Sequence, residues 1–131
     1  MSAIDISKSY IHLGLGATAV PQPEFNGMEW YPEYGARHAD DGNEGRLVCM
    51  LEFTEPWTTW EVHPNGAEVV LCTAGRMTLH QEHPDGTRAT VTLEPGQYVI
   101  NPPGVWHTAD IEDRATAVFI TAGAGTELRP R

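Results

Sequence analysis

The sequence predicts an all-β fold that closes into a barrel or a jelly roll. From Arg46 onward, short β-prone runs follow one another, and turn signals rich in glycine and proline separate most of them. No amphipathic helical period interrupts these runs. Short strands joined by tight turns are typical of barrels and jelly rolls, in which closure protects the sheet edges.

The predicted strands begin near residue 47 and end near residue 121. In chain order they are Leu47–Phe53, Thr58–His63, Glu68–Thr73, Arg76–Gln81, Thr87–Leu93, Gln97–Asn101, Val105–Ala109 and Ala115–Thr121. The turns between them include Pro64-Asn65-Gly66, Pro84-Asp85-Gly86 and Pro102-Pro103-Gly104.

The distribution of β-prone runs divides the chain into three parts. Residues 1–45 have no clear period and are predicted to be irregular; His12 and His38 within them receive no role. Residues 46–123 form the barrel, and residues 124–131 are a polar tail that we expect to fray. The first part carries an aromatic patch that the barrel or a second subunit must cover, formed by Phe25, Met28, Trp30, Tyr31 and Tyr34. We expect a homodimer, in which an N-terminal strand covers an edge of the partner's sheet.

Composition argues against several classes of function. The formal net charge of −10 repels phosphate backbones and anionic lipid headgroups, and Lys and Arg are not clustered, so we expect neither nucleic-acid nor membrane partners. No apolar stretch is long enough to span a bilayer. Cys49 and Cys72 do not form a CxxC pair, which excludes a thiolate zinc motif and favours a reducing, cytoplasmic location, although a disulfide between them stays open.

Strand alternation brings a set of candidate ligands together. Glu61 and His63 are two residues apart in one predicted strand, so they point the same way. Glu68 opens the next strand after a tight turn, and His107 lies in a later strand. Two imidazoles and a carboxylate are a common ligand set for a catalytic divalent metal ion. The alternative is that His63 only shapes the turn and that both glutamates are solvated.

The same residues resemble the two motifs of the cupin superfamily. The segment Glu61–Gly75, E-V-H-P-N-G-A-E-V-V-L-C-T-A-G, resembles the first motif, G-x5-H-x-H-x3,4-E-x6-G. The segment Gly96–Ile111, G-Q-Y-V-I-N-P-P-G-V-W-H-T-A-D-I, resembles the second, G-x5-P-x-G-x2-H-x3-N. The resemblance covers roughly the last two thirds of the chain. It implies a small single-domain cupin of the cupin-2 type, with a double-stranded β-helix, which is a jelly-roll barrel.

This chain departs from the first motif at a ligand position. Glu61 stands where the motif has its first His, so the resemblance implies His63, Glu68 and His107 as metal ligands. Three roles for Glu61 stay open: a fourth ligand, a general acid or base beside the metal ion, or a sign that the metal has been lost. The metal, if present, is a divalent transition metal such as Fe, Mn, Ni, Co or Zn.

The expected function is a metal-dependent reaction on a small oxygenated molecule, of dioxygenase, isomerase or lyase and dehydratase type. Glu61 would move the proton, and Tyr98 is predicted to line the pocket as a second catalytic residue. Trp57 is expected on the outer sheet face, and Cys72 as a small buried hydrophobe and not a catalytic thiol. The alternative is a non-catalytic or metal-free cupin that binds a small molecule. The residues do not identify the substrate, the reaction or the metal.

Overall fold

The computed structural model describes residues 1–131 and is built mainly from strands. In chain order the elements are β1 (Ile11–Gly14), β2 (Thr18–Pro21), α1 (Trp30–Arg37), a 3₁₀ helix (Ala39–Glu44), β3 (Arg46–Phe53), β4 (Thr59–Val62), β5 (Glu68–Gly75), β6 (Met77–Glu82), β7 (Arg88–Leu93), β8 (Tyr98–Asn101), β9 (Trp106–Asp110), β10 (Ala115–Thr121) and β11 (Glu127–Pro130). All the predicted strands occur, as β3 to β10, so the all-β prediction is confirmed.

The strands form two antiparallel sheets that enclose one core. The first sheet has the order β2-β1-β3-β10-β5-β8, and the second has the order β11-β4-β9-β6-β7. Several neighbours in the sheets, such as β10 beside β3 and β5, and β9 beside β4, are distant in the chain, as expected of a double-stranded β-helix. Val70, Leu79 and Ala117 are fully buried between the sheets. Cys49 and Cys72 are free thiols in the same core, which agrees with Cys72 acting as a small hydrophobe.

The N-terminal segment, predicted as irregular, contains β1, β2, α1 and the 3₁₀ helix. β1 pairs with β3 of its own chain, so the edge that we expected a partner subunit to cover is covered within the chain. Trp30 and Tyr10 are buried, with their rings edge to face at 5.3 Å, and this aromatic contact attaches α1 to the barrel. Each strand here has only four residues, too few for an alternating pattern to be evident.

The polar tail also differs from expectation, because it forms β11 instead of fraying. β11 pairs with β4 along its length. The Arg129 guanidinium lies over the rings of Trp60 and Trp106, at 5.0 and 4.5 Å from their centroids, and donates a hydrogen bond to Glu82. Cation–π and ionic contacts therefore hold this strand, and they leave no apolar period in the sequence. No helix of the protein has the length and apolar character needed to cross a membrane.

Candidate metal centre

Four side chains converge inside the barrel, and we call Glu61, His63, Glu68 and His107 the barrel cluster. Nε2 of His63 lies 3.1 Å from Oε2 of Glu68, and Nε2 of His107 lies 3.1 Å from Oε1 of Glu68. Oε2 of Glu61 lies 3.8 Å from both Nε2 atoms. His63, Glu68 and His107 are buried, whereas the Glu61 side chain is one-third exposed. Glu61 is therefore the member of the cluster that solvent and small molecules can reach.

The pairing of distant strands builds this cluster. Glu61 in β4 is the register partner of His107 in β9, which brings the two side chains together on the inner face. Glu68 begins β5 in the other sheet and faces them across the core. The backbone N–H of Gly104, which has a φ of 78°, donates to the carbonyl of His63 at 3.2 Å. The turn before β9 is thus tied to the end of β4, so the two imidazoles are held side by side.

Hydrogen bonds fix Glu68 as an ionised acceptor. Asn101 donates from Nδ2 to Oε1 at 3.1 Å, and Thr121 donates from Oγ1 to Oε2 at 2.6 Å. Gln81 in turn donates to Oδ1 of Asn101 at 2.8 Å. Sequence reasoning missed Asn101 and Thr121 as members of this site. Their positions follow from parity once the register is known, since β5 pairs Glu68 with Asn101 on one side and with Thr121 on the other.

The two imidazoles have unpaired nitrogens that face Glu68. Both Nε2 atoms are buried and have no hydrogen-bond partner, although each lies 3.1 Å from an oxygen of Glu68. Nδ1 of His107 lies 3.3 Å from the carbonyl of Val105, which only accepts, so that nitrogen carries a proton. Nε2 of neutral His107 is then a lone pair directed into the cluster.

These residues fit a divalent first-row metal ion. Ligand atoms at about 2.1 Å from one ion and at right angles to each other are separated by about 3 Å, close to the 3.1 Å between Glu68 and each imidazole. The unpaired Nε2 atoms of His63 and His107 gain a partner when a cation lies between them and Glu68. Two nitrogens and carboxylate oxygens form a borderline-to-hard donor set, which suits Fe, Mn, Ni, Co or Zn.

Burial and neighbouring charges shift the pKa values of Glu61 and Glu68 in opposite directions. Burial raises the pKa of the Glu61 carboxyl, the charge of Glu68 raises it further, and the two histidines offset part of this rise. Burial also opposes ionisation of Glu68, but its interactions with His107 and His63 outweigh burial and hold its pKa far below the usual range. Two carboxyls with pKa values shifted in opposite directions suit different roles, the group with the raised pKa for proton transfer and the group with the lowered pKa as an anion.

The histidines respond to the same charges. Burial lowers the pKa of His107, but the contact with Glu68 and the charges of Glu68 and Glu61 raise it by more, so the net direction is upward. A proton on Nε2 of His107 would lie where a cation would bind, 3.1 Å from Oε1 of Glu68. Metal uptake at this site should release that proton.

Tyr98 does not reach the barrel cluster, contrary to the prediction. It is 63% exposed at the start of β8, where its register partner is Leu71. Asn101 on the same strand faces inward and contacts Glu68, and a residue three positions earlier points to the opposite face. Tyr98 therefore lies on the outer surface of the sheet and has no catalytic position.

One aromatic residue near the cluster was not predicted there. Trp57, expected on the outer face, packs inside against Phe119 and His107, with both ring centroids 6.1 Å from its own, and its buried Nε1 has no hydrogen-bond partner. No sequence period pointed to this residue.

Comparison with known proteins concerns the barrel. Residues 47–123 match the family model of the cupin domain. No curated protein matches the chain. A conserved protein of Klebsiella pneumoniae with a double-stranded β-helix domain is 22% identical, with a TM-score of 0.54 over 66% of this chain and 76% of that one.

Two enzymes share the fold at lower identity. Hydroquinone 1,2-dioxygenase from Sphingomonas sp. TTNP3, solved with 4-hydroxybenzoate bound, is 16% identical, with a TM-score of 0.51 over 58% of this chain and 59% of the enzyme. Oxalate oxidase is 14% identical, with a TM-score of 0.54 over 62% of this chain and 44% of the enzyme. This chain spans less than two thirds of either enzyme, and both likenesses concern the fold alone.

Proposed function

We propose, from the premise that this chain belongs to the cupin domain family, that it is a metal-dependent enzyme acting on a small oxygenated molecule. His63, Glu68 and His107 would hold a divalent first-row metal ion, with Glu61 beside it. One observation carries the proposal: two buried imidazole nitrogens without hydrogen-bond partners face the ionised carboxylate of Glu68. Such unpaired buried polar atoms cost about 1–3 kcal/mol each, and a cation between them removes that cost.

Glu61 is proposed as the proton shuttle of the reaction. When bound, a divalent metal ion polarises a carbonyl or hydroxyl oxygen of the substrate. Burial and the charge of Glu68 raise the pKa of the Glu61 carboxyl, and its one-third exposure lets it exchange a proton with substrate or water. Glu68 stays ionised through the donors Asn101 and Thr121. This division supports proton-transfer chemistry, an isomerisation or an elimination such as a dehydration.

Dioxygenation is a second candidate reaction, supported by a separate observation. Trp57, Phe53 and Phe119 form an aromatic wall beside His107, which suits a flat substrate ring. Hydroquinone 1,2-dioxygenase, which shares the fold, was solved with an aromatic acid bound. A non-catalytic or metal-free binding cupin remains the alternative that the experiment below separates from both.

Metal content is the decisive test. The protein, purified without a His tag, is loaded with each of Fe, Mn, Ni, Co and Zn, dialysed and analysed for bound metal. We expect one ion per chain in the wild type and none in His107→Ala. His80→Ala is the matched control, because His80 is a histidine of the outer face that pairs with Asp110. A wild type that retains no metal would leave the metal-free binding alternative.

Glu61 variants separate a ligand from a proton shuttle. If Glu61 is the shuttle, Glu61→His keeps its metal and loses turnover in a screen of small hydroxy- and oxo-acids. If Glu61 is a ligand, Glu61→His keeps its metal and turns over with an altered pH dependence. Glu61→Gln, which keeps the shape and removes the proton-accepting anion, should lose turnover in the first case and weaken metal binding in the second.

We also propose a homodimer located in the cytoplasm, with no nucleic-acid or membrane partner. The exposed Tyr98 and Ile100 on the edge strand β8 leave an apolar strip that a second copy can cover. Light scattering should give the mass of two chains at micromolar concentration. A monomer mass under these conditions contradicts the dimer.

A further inference from the structure

We infer that Thr126 is a positioning residue that fixes the tautomer of His63 and so makes its Nε2 the metal-binding nitrogen. The inference rests on the proposed metal site, and it adds a residue outside the stretch 47–123 that matches the family. Thr126 touches no ligand atom of the cluster; it acts only through the far side of the His63 ring.

Counting protons identifies the tautomer. The Thr126 hydroxyl has one proton, and its Oγ1 donates that proton to the carbonyl of Gly123 at 2.8 Å. The same Oγ1 lies 2.7 Å from Nδ1 of His63. Because the hydroxyl proton is already used, Nδ1 must be the donor in this contact. A neutral imidazole carries one N–H, so Nε2 of His63 is left as a lone pair that points into the cluster.

Local structure leaves Thr126 little freedom to do otherwise. β11 pairs Glu127 with Val62, so the residue before Glu127 lies beside His63. Asn65 donates to the carbonyl of Ala124 at 2.8 Å, which ties this turn to the turn that follows β4. Gly125 has a φ of 79°, and a Cβ there would lie 2.9 Å from Nδ2 of Asn65. The turn therefore holds Thr126 over the ring.

The two imidazoles differ in how their tautomers are set. His107 donates from Nδ1 to a backbone carbonyl, that of Val105, and no side-chain substitution removes that acceptor. His63 depends on one hydroxyl. Without it, His63 can move its proton to Nε2 and donate to Glu68, which lies 3.1 Å away. The lone pair that a metal ion needs would then be used up by a proton.

The variants Thr126→Val and Thr126→Ser test this assignment. Valine keeps the shape without the oxygen, and serine keeps the hydroxyl. Nitrogen NMR of histidine-labelled, metal-free protein, recorded where the rings are neutral, reports the tautomer directly. We expect the Nδ1–H form of His63 in the wild type and in Thr126→Ser, and a shift toward the Nε2–H form in Thr126→Val. The affinity for Zn²⁺ or Co²⁺, measured by chelator competition, should fall on the order of 10- to 100-fold in Thr126→Val and recover in Thr126→Ser.

A structural control separates positioning from loosening of the tail. Arg131→Ala removes the hydrogen bonds from the far end of the tail to the carbonyls of Trp57 and Ala109, and it leaves the turn around Thr126 in place. It should keep the Nδ1–H form and near-wild-type affinity. An unchanged tautomer in Thr126→Val, or an equal loss of affinity in Arg131→Ala, overturns the inference. If the wild type binds no metal, the proposed function fails, yet the tautomer measurement on metal-free protein still decides the role of Thr126.

Discussion

Two clusters of histidines and carboxylates in this protein contain nearly the same residue types but differ in their hydrogen bonds. The histidine nitrogens have partners in one cluster, and those that face inward have none in the other. In the barrel cluster, ligand atoms of Glu61, His63 and His107 lie within 4.8 Å of one another. The same holds for His12, His38 and Asp41, which we call the N-terminal cluster. Residue identity and proximity alone would rank both as metal sites.

In the N-terminal cluster, both nitrogens of His12 and Nε2 of His38 already form hydrogen bonds. His12 is buried, with Nδ1 2.5 Å from the Tyr34 hydroxyl and Nε2 2.6 Å from Oδ2 of Asp41. His38 contacts Gln22 through Nε2 and stacks on His12 with ring centroids 3.7 Å apart and planes 15° from parallel. In-plane lone pairs of stacked rings do not converge on one ion. The cluster links β1, α1 and the 3₁₀ helix, so its contacts stabilise the packing of these elements. We call this structural role the lock.

The difference shows that a candidate metal site is recognised by buried ligand atoms that have no hydrogen-bond partner. The Nε2 atoms of the barrel cluster are buried and unpaired, whereas both nitrogens of His12 are paired. A buried unpaired nitrogen is costly unless something binds it. The comparison predicts that substitutions in the barrel cluster change metal content, and that substitutions in the N-terminal cluster change stability.

The largest expected effect is on metal stoichiometry. Glu68→Gln keeps the size of the side chain, but it removes the anion that both imidazoles face and one of the two oxygens that accept from Asn101 and Thr121. We expect metal content to fall from one ion per chain to near zero, as measured by elemental analysis after dialysis. His12→Ala should retain one ion per chain. A His12→Ala variant that loses its metal would show that the two clusters are not independent.

The next effect is on stability. His12→Ala removes a buried ring and leaves the Tyr34 hydroxyl and the Asp41 carboxylate without their partner. We expect a loss of about 3 kcal/mol in the free energy of unfolding, measured in urea. Ligand-site variants cannot be used as the control, so Thr90→Ala, at the exposed partner of His80, serves instead. A loss below that of Thr90→Ala argues against the lock.

The dependence of stability on pH should have opposite signs with and without metal. His107 has a raised pKa in the folded protein, so its contribution is full below its unfolded pKa of about 6.5 and is lost as pH rises through the folded pKa. Metal-free protein should therefore lose stability above about pH 6.5, by at most about 1.4 kcal/mol per pH unit. Metal-loaded protein should gain stability over the same range, because metal competes with that proton. Thermal unfolding across pH with and without Zn²⁺ tests both signs; equal slopes contradict the assignment.

The smallest effect is expected at the edge of the N-terminal cluster. His38→Ala removes one hydrogen bond to Gln22 and the stack on His12, and His38 is only partly buried. We expect a loss of about 1 kcal/mol and unchanged metal content. Chemical denaturation and elemental analysis of the same sample check both. A larger loss than in His12→Ala would reverse the order of importance within the lock.

Much of the barrel was predictable because its strands alternate. Buried residues alternate with more exposed ones along most of β4, β5, β6 and β10, and most turns between β3 and β10 carry glycine or proline. β1, β2 and β11 have four residues each and are held by pairing and by side chains such as Arg129. Strands of that kind have no period to detect, so the N-terminal segment and the tail could not be assigned from sequence.

The candidate site likewise contains residues that could be predicted from the sequence and residues that could not. Glu61, His63, Glu68 and His107 could be named because metal ligands belong to a short list of residue types. Thr126 lies 63 positions from His63, and only the register of β11 against β4 brings them together. Tyr98 was assigned to the wrong face because a shift of one residue in strand register reverses every side chain.

The hydrogen-bonded chain from Glu68 through Asn101 to Gln81 also has a mechanical consequence. Glu68 and Asn101 belong to one sheet, and Gln81 belongs to the other. Sliding of the sheets past each other would break the buried hydrogen bond from Gln81 to Asn101, so this chain of hydrogen bonds links the two layers. A cation that immobilises Glu68 would make this hydrogen-bonded link more rigid. The stiffness of the whole sandwich, measured as slow amide exchange along β6, is thereby connected to events at a carboxylate on the opposite wall.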